Sequence, residues 1–107
     1  MTYKVQLTYR ARQDAKESAA YLRERSPQAA LKWMGGLKKL QDRLATFPSR
    51  FSKVPHTEVL RHDYRAALHY SHKVIFYIDD ESNTVYIVRV YHSARKPLAS
   101  AEEIEFE

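Results

Sequence analysis

Three kinds of hydrophobic spacing follow one another along the chain. From Thr2 to Leu7 apolar and polar residues alternate, with Tyr3, Val5 and Leu7 on one side and Lys4 and Gln6 on the other. That period of two predicts a short, half-buried strand. From about Ala11 to Arg25 the spacing becomes helical, with Ala11, Ala15, Ala19 and Leu22 along one stripe. The small alanines predict another element packed close to it. Ser26-Pro27 then interrupts the pattern. A serine hydroxyl can accept from free N–H groups of a following helix, and proline suits the first helical position. A second helix is therefore expected from Pro27 to about Thr46, with Ala30, Trp33, Met34, Leu37, Leu40 and Leu44 on its apolar face. So short a link predicts an antiparallel helix hairpin.

Gly35-Gly36 falls inside the second helix, at a cost of roughly 2 kcal/mol against two alanines. Close helix–helix contact is the expected reason. Phe47-Pro48 ends the helix, and residues 48–58 show no period. Beyond Val59 the spacing turns to β, with strands expected at Leu60–Tyr70, Lys73–Ile78 and Thr84–Tyr91, and His62-Asp63 as an interruption in the first. The polar run Asp79–Asn83 predicts a hairpin loop. Thr84–Tyr91 is apolar on both faces for most of its length, which predicts a central strand. The order β-α-α-β-β-β gives an α+β fold, a helix hairpin packed on one face of a mainly antiparallel four-stranded sheet. Trp33, Leu37, Leu40, Leu44, Val74, Phe76 and Val88 are the expected core.

Length and composition narrow this further. The 107 residues suit one domain, here residues 1–98 followed by an acidic tail at 99–107. An apolar fraction of 44% with two glycines and four prolines excludes collagen-like and low-complexity chains. The absence of cysteine excludes disulfide scaffolds, thiolate metal sites and a cysteine nucleophile. The longest apolar run, Val74–Ile78, is far short of a membrane span, and the first residues lack a signal-peptide pattern. A cytoplasmic domain without membrane partners is expected. All 18 Lys and Arg lie at or before Lys96, whereas four of the 13 acids lie in the last six residues. The chain through Leu98 thus carries nine acids and a formal charge of +9, and the tail carries −4. Such a field suits polyanions or an acidic protein partner.

Familiar chemistries find little foothold. His69 and His72 would face opposite sides of a single strand, and His56 and His62 have only Glu58 and Asp63 as helpers. No metal site is expected. No phosphate-cradling glycine loop or nucleophile elbow exists, so no cofactor is expected. What remains is Arg89-Val90-Tyr91-His92-Ser93-Ala94-Arg95-Lys96. On a strand Arg89 and Tyr91 share a face, and a helical turn afterwards would bring His92 and Arg95 together. Arg61 and Arg65 could add cations. An imidazole that titrates near neutrality among fixed cations suits cleavage of an RNA phosphodiester. The alternative is that these groups bond carbonyls and acids to close the sheet.

The element order, the hairpin ending Leu44-Ala45-Thr46-Phe47-Pro48, the strand Val74-Ile75-Phe76-Tyr77 and above all Val88–Arg95 resemble the RelE/ParE superfamily of type II toxin–antitoxin toxins. The ending is more similar to the ParE, or plasmid-stabilisation, branch. The resemblance implies either of two mechanisms. A ParE-type toxin inhibits DNA gyrase by binding and is not an enzyme. A RelE-type toxin is an endoribonuclease that cuts mRNA on the ribosome. For the second, roles would fall on Arg65 at a phosphate, Arg89 at the transition-state charge, Tyr91 or His92 in proton transfer or stacking, and Arg95 beside them. Both branches imply a cognate antitoxin, expected to be acidic. A third reading is an interaction module that has lost toxicity. Lys73 departs from the aromatic residue common before the Val-Ile-Phe-Tyr strand. The acidic ending, with Ser100 and Glu103 spaced as a capping box, runs past the usual stop.

Overall fold

The computed structural model describes residues 2–54 and 60–93. Its elements run β1 (Lys4–Leu7), α1 (Tyr9–Arg25), α2 (Pro27–Thr46), a short 3-10 turn at Pro48–Arg50, β2 (Arg65–His69), β3 (His72–Asp79) and β4 (Thr84–His92). Both helix starts are set by hydroxyl caps. Thr8 accepts from the Ala11 N–H at 3.2 Å, and Ser26 from the Ala29 N–H at 3.2 Å. Pro27 occupies the first turn of α2, where its missing N–H costs nothing.

The sheet order is β1-β4-β3-β2. β3 pairs antiparallel with both β2 and β4, and β1 pairs parallel with β4. The sheet is therefore mixed, with the apolar Thr84–His92 strand in its interior as expected. The helix hairpin covers one face. Trp33, Leu37, Leu40 and Leu44 from α2 meet Val74, Phe76, Val85, Ile87 and Val90 there. A second cluster forms on the other side from Tyr64, Ile75, Val88 and Tyr91, with Val54 and Leu60 packed against it. Val88 is thus buried as expected, but in this second cluster.

Three expectations need correction. The strand expected at Leu60–Tyr70 is ordered as a strand only over Arg65–His69. Residues before it turn across the sheet. His62 stacks on Tyr77 at 3.7 Å between ring centroids, and Tyr64 meets Tyr77 edge-on at 5.8 Å. Ring packing, with a bond from the Val54 N–H to the Tyr64 carbonyl at 2.8 Å, holds this stretch in place of a strand ladder. The β3–β4 loop is one residue shorter than read from sequence, because Asp79 pairs with Thr84. Asn83 closes that loop at φ 55°, a left-handed conformation that asparagine tolerates.

The third correction concerns the glycines. α2 runs through both without a break. A side-chain carbon at Gly36 would lie 2.7 Å from His69 Cε1 and 3.2 Å from the Tyr70 ring. The close neighbour is therefore a strand histidine rather than the other helix. Gly36→Ala should lower stability despite alanine's better helix propensity, since overpacking costs about 1–3 kcal/mol and the propensity gain is only about 1 kcal/mol. A melting temperature equal to or above that of the unaltered protein would contradict this.

Candidate functional site

The expected sheet-end residues sit at two levels of the sheet. Arg65 on β2 is in register with Phe76, and Arg89 on β4 with the adjacent Ile75. Further along, His69 of β2, His72 of β3 and His92 of β4 stand in register across three strands. The histidine row is two strand spacings wide, about 10 Å, and the two arginines lie three to four residues from it along their strands, roughly 10–13 Å.

Each arginine is engaged by the fold. Arg89 is 4% exposed and its Nε donates to Asp14 Oδ2 at 2.7 Å. Asp14, 7% exposed, comes from the middle of α1, and the same oxygen accepts from the Val90 N–H at 3.0 Å. One buried carboxylate therefore neutralises the strand's arginine and satisfies a β4 amide beyond the end of β1. Arg65 Nη1 donates to the carbonyls of Ser49 at 3.1 Å and Phe51 at 2.6 Å, tying the 3-10 turn to β2. Tyr91 is buried with Tyr64, Ile75 and Val88. Arg89 turns to α1 beside a β-bulge, where the register slips between Ile75 and Phe76 and leaves Val88 as an extra residue on β4 just before it. A bulge of this kind re-aims the side chains around it. His92 is exposed, its ring 5.2 Å from that of His72. Arg61 is exposed but not without a partner. Arg95, Lys96, His56 and the acidic tail with its Ser100–Glu103 pair lie outside the described residues.

Sequence reasoning missed Asp14 and Trp33 as organisers of this end of the sheet. Asp14 stands 75 residues from Arg89 and follows Ala11 by three, at the border of the alanine stripe. An acid there was the available signal. Trp33 donates its indole N–H to His72 Nδ1 at 3.2 Å, and its carbonyl accepts from His69 Nε2 at 2.8 Å. A carbonyl can only accept, so His69 carries its proton on Nε2. His69 and His72 lie on adjacent strands and both rings pack on the indole, 5.2 and 5.0 Å away, rather than facing opposite sides. Among the described residues no group of three His, Asp or Glu is placed to hold a metal ion.

Trp33 and His72 also line a groove of about 670 Å³ between the helix hairpin and this end of the sheet, with Tyr21, Tyr70, Val90 and His92 on its walls. Its lining is mainly apolar and aromatic, which suits an amphipathic segment or an aromatic anchor.

Burial, then the neighbouring His92 and His69, holds the His72 imidazole below its ordinary 6.5. The unfolded chain therefore takes up a proton in a window beneath 6.5 that the native state refuses. That stability is fully present above the window and is lost as pH falls through it. Protonation would also turn the acceptor of the Trp33 bond into a second donor. Melting temperature should drop as pH falls below 6.5, and His72→Gln, whose amide oxygen can still accept, should flatten the drop. An identical pH profile in the variant would contradict the assignment.

The family model described as ParE toxin of the type II toxin–antitoxin system, parDE, matches residues 5–97, and the chain belongs to that family. No curated protein sequence matches. Among solved structures, the chain is similar to one from the toxin–antitoxin complex RelBE2 of Mycobacterium tuberculosis, at 25% identity and a TM-score of 0.63 over 89% of this chain and 95% of that one. It shares its fold with one from the RelE–RelB complex of Pyrococcus horikoshii, at 18% identity and TM-score 0.62, over 90% of this chain and 100% of that one. The same holds for the chromosomal ParDE system of P. aeruginosa, at 16% identity and TM-score 0.63, over 85% of this chain and 96% of that one. Both RelE and ParE proteins thus carry this fold, and fold does not decide between their mechanisms. Among the described residues no helix is long and apolar enough to cross a membrane.

Proposed function

We propose that this toxin acts in the ParE manner, arresting growth in the cytoplasm by binding DNA gyrase, and that a cognate acidic antitoxin neutralises it. One observation carries the choice. Two of the three arginines named for an RNA-cleaving site are engaged in holding the fold, Arg89 by the buried Asp14 and Arg65 by two loop carbonyls, and the third, Arg95, lies outside the described residues. A preorganised site for phosphoryl charge requires donors aimed at the ligand. Guanidinium groups committed to a carboxylate and to carbonyls favour a protein that works by contact. The +9 charge of the chain through Leu98 favours fast encounter with acidic partners. The apolar groove beside Trp33 suits an amphipathic antitoxin segment that folds on binding.

Ribosome-dependent mRNA cleavage is the second reading, and the exposed His92 beside His72 is what favours it. The two separate in a growth-arrest assay. Loss of a general acid or base slows a reaction by roughly a hundredfold or more. In the gyrase reading His92→Ala, with an unchanged melting temperature, still arrests growth, and primer extension finds ribosome-bound message uncut. Loss of arrest in that folded variant, together with codon-phased cuts by the unaltered chain, would sink the gyrase reading. A chain that cells tolerate at high level without antitoxin would point instead to an interaction module without toxicity.

A further inference from the structure

Only one of the two adjacent glycines in α2 is explained by the chain's own packing. Gly36 makes room for His69, as described above. Gly35 lies on the other side of the helix, exposed, and a side-chain carbon built on it would meet nothing within 4 Å. Its backbone is not left-handed, so no conformational need requires glycine there. At about 100° per residue, Gly35 stands opposite the buried stripe of Trp33, Leu37, Leu40 and Leu44. One turn earlier Leu31 is 71% exposed. Lys32, Lys38 and Lys39 surround the two, all exposed, with Asp42 as the nearby acid on the same face. A glycine in a helix interior lowers stability against alanine, and at this position nothing within the described chain offsets it.

A bare stretch of helix backbone beside an apolar knob lets another helix come close, since the distance between packed helices is set by the side chains at the crossing. We propose that this notch is the toxin's contact with its target: an acidic surface helix of DNA gyrase crosses α2 at Gly35, anchored by Leu31 and paired with Lys32, Lys38 and Lys39. The inference rests on the gyrase reading and gives it a surface. Charge selects the occupant. A second copy of this chain, meeting itself across a two-fold axis, would set the same cations against each other. An antitoxin segment that orders on binding needs a deep apolar groove to offset its lost freedom. The groove beside Trp33 provides that, whereas this face sets the exposed Leu31 among lysines. Such a surface suits a helix already folded within its own protein.

The test pairs stability with binding. Gly35→Ala and Gly35→Gln are measured for melting temperature, for affinity to purified gyrase and for affinity to the co-expressed antitoxin. Gly35→Ala should raise the melting temperature by about 4–8 °C and yet weaken gyrase binding. Gly35→Gln should weaken it by roughly tenfold or more, with antitoxin affinity unchanged. The Lys38→Glu/Lys39→Glu double variant should slow association with gyrase at low salt, and the difference should shrink as salt rises. Equal gyrase affinity for Gly35→Gln and the unaltered chain would overturn the notch while leaving the gyrase reading in place. Loss of antitoxin affinity with gyrase binding intact would assign the surface to the antitoxin instead and overturn the proposal. Failure of the unaltered chain to bind gyrase would overturn both, and that result is visible without any variant.

Discussion

Asp14→Ala lowers the stability of this toxin by about 3–5 kcal/mol, the usual consequence of removing one partner from a buried ion pair. Domains of this size are stable by roughly 5–15 kcal/mol in total, so the variant stands close to unfolding at ordinary temperature. Besides an exposed pair with Arg10 at 3.5 Å, which is worth little, the cost has two sources. The Arg89 guanidinium, 4% exposed, loses the carboxylate that balances its charge, and the Val90 N–H loses its acceptor. Desolvation of the charge is the larger of the two, because a buried guanidinium cannot shed its proton to escape. A double variant, Asp14→Ala with Arg89→Met, should therefore recover much of the loss, since replacing both ions by apolar groups is often neutral. Urea denaturation reads both results. A single variant within 1 kcal/mol of the unaltered protein, as an order-of-magnitude limit, would mean that the pair behaves like a surface bridge and that α1 is held by apolar contact alone.

Trp33→Ala is the second large expected effect, at about 3–5 kcal/mol. The indole fills the space between α2 and the histidine row, and its removal leaves a cavity continuous with the groove. It also strips His72 of its donor. His69 keeps its bond, because it donates to the backbone carbonyl of residue 33, which any residue supplies. Trp33→Phe should cost less, since an aromatic ring still fills most of the space while the indole N–H bond to His72 is lost. The two variants separate packing from hydrogen bonding. Equal losses in both would show that the indole N–H bond outweighs the volume of the ring. Because Trp33 lines the groove, both variants should weaken antitoxin binding beyond their effect on folding, which titration of the complex at a temperature well below melting can read.

What could be read from the chain was whatever local chemistry decides. Ser26-Pro27 marked the helix boundary because a hydroxyl cap and a fixed proline φ act within four residues. The change of period near Pro48 marked the passage from hairpin to sheet because burial on one face imposes spacing directly. Long-range partners were not legible. Nothing near Arg89 in sequence announces Asp14, and the bulge at Val88 just before Arg89 arises from how β4 meets β3. Leu60–Tyr64 resembles strand because its apolar and aromatic residues are the types a strand buries, yet ring stacking on Tyr77 is what fixes it. The glycine pair was visible but its two reasons were not. Gly36 answers to a histidine 33 residues away, and Gly35 to nothing in the described chain. At the candidate site the residue types at the end of the sheet were readable, whereas their engagement by carboxylate and carbonyl groups required the fold.

The central claim, that this family member acts by contact rather than by chemistry, is tested most directly by a supercoiling assay with purified gyrase and toxin freed of antitoxin. The expected result is loss of supercoiling that grows with toxin concentration, is reversed by added antitoxin and leaves RNA intact. Normal supercoiling at toxin concentrations that cut ribosome-bound message in codon phase would contradict it.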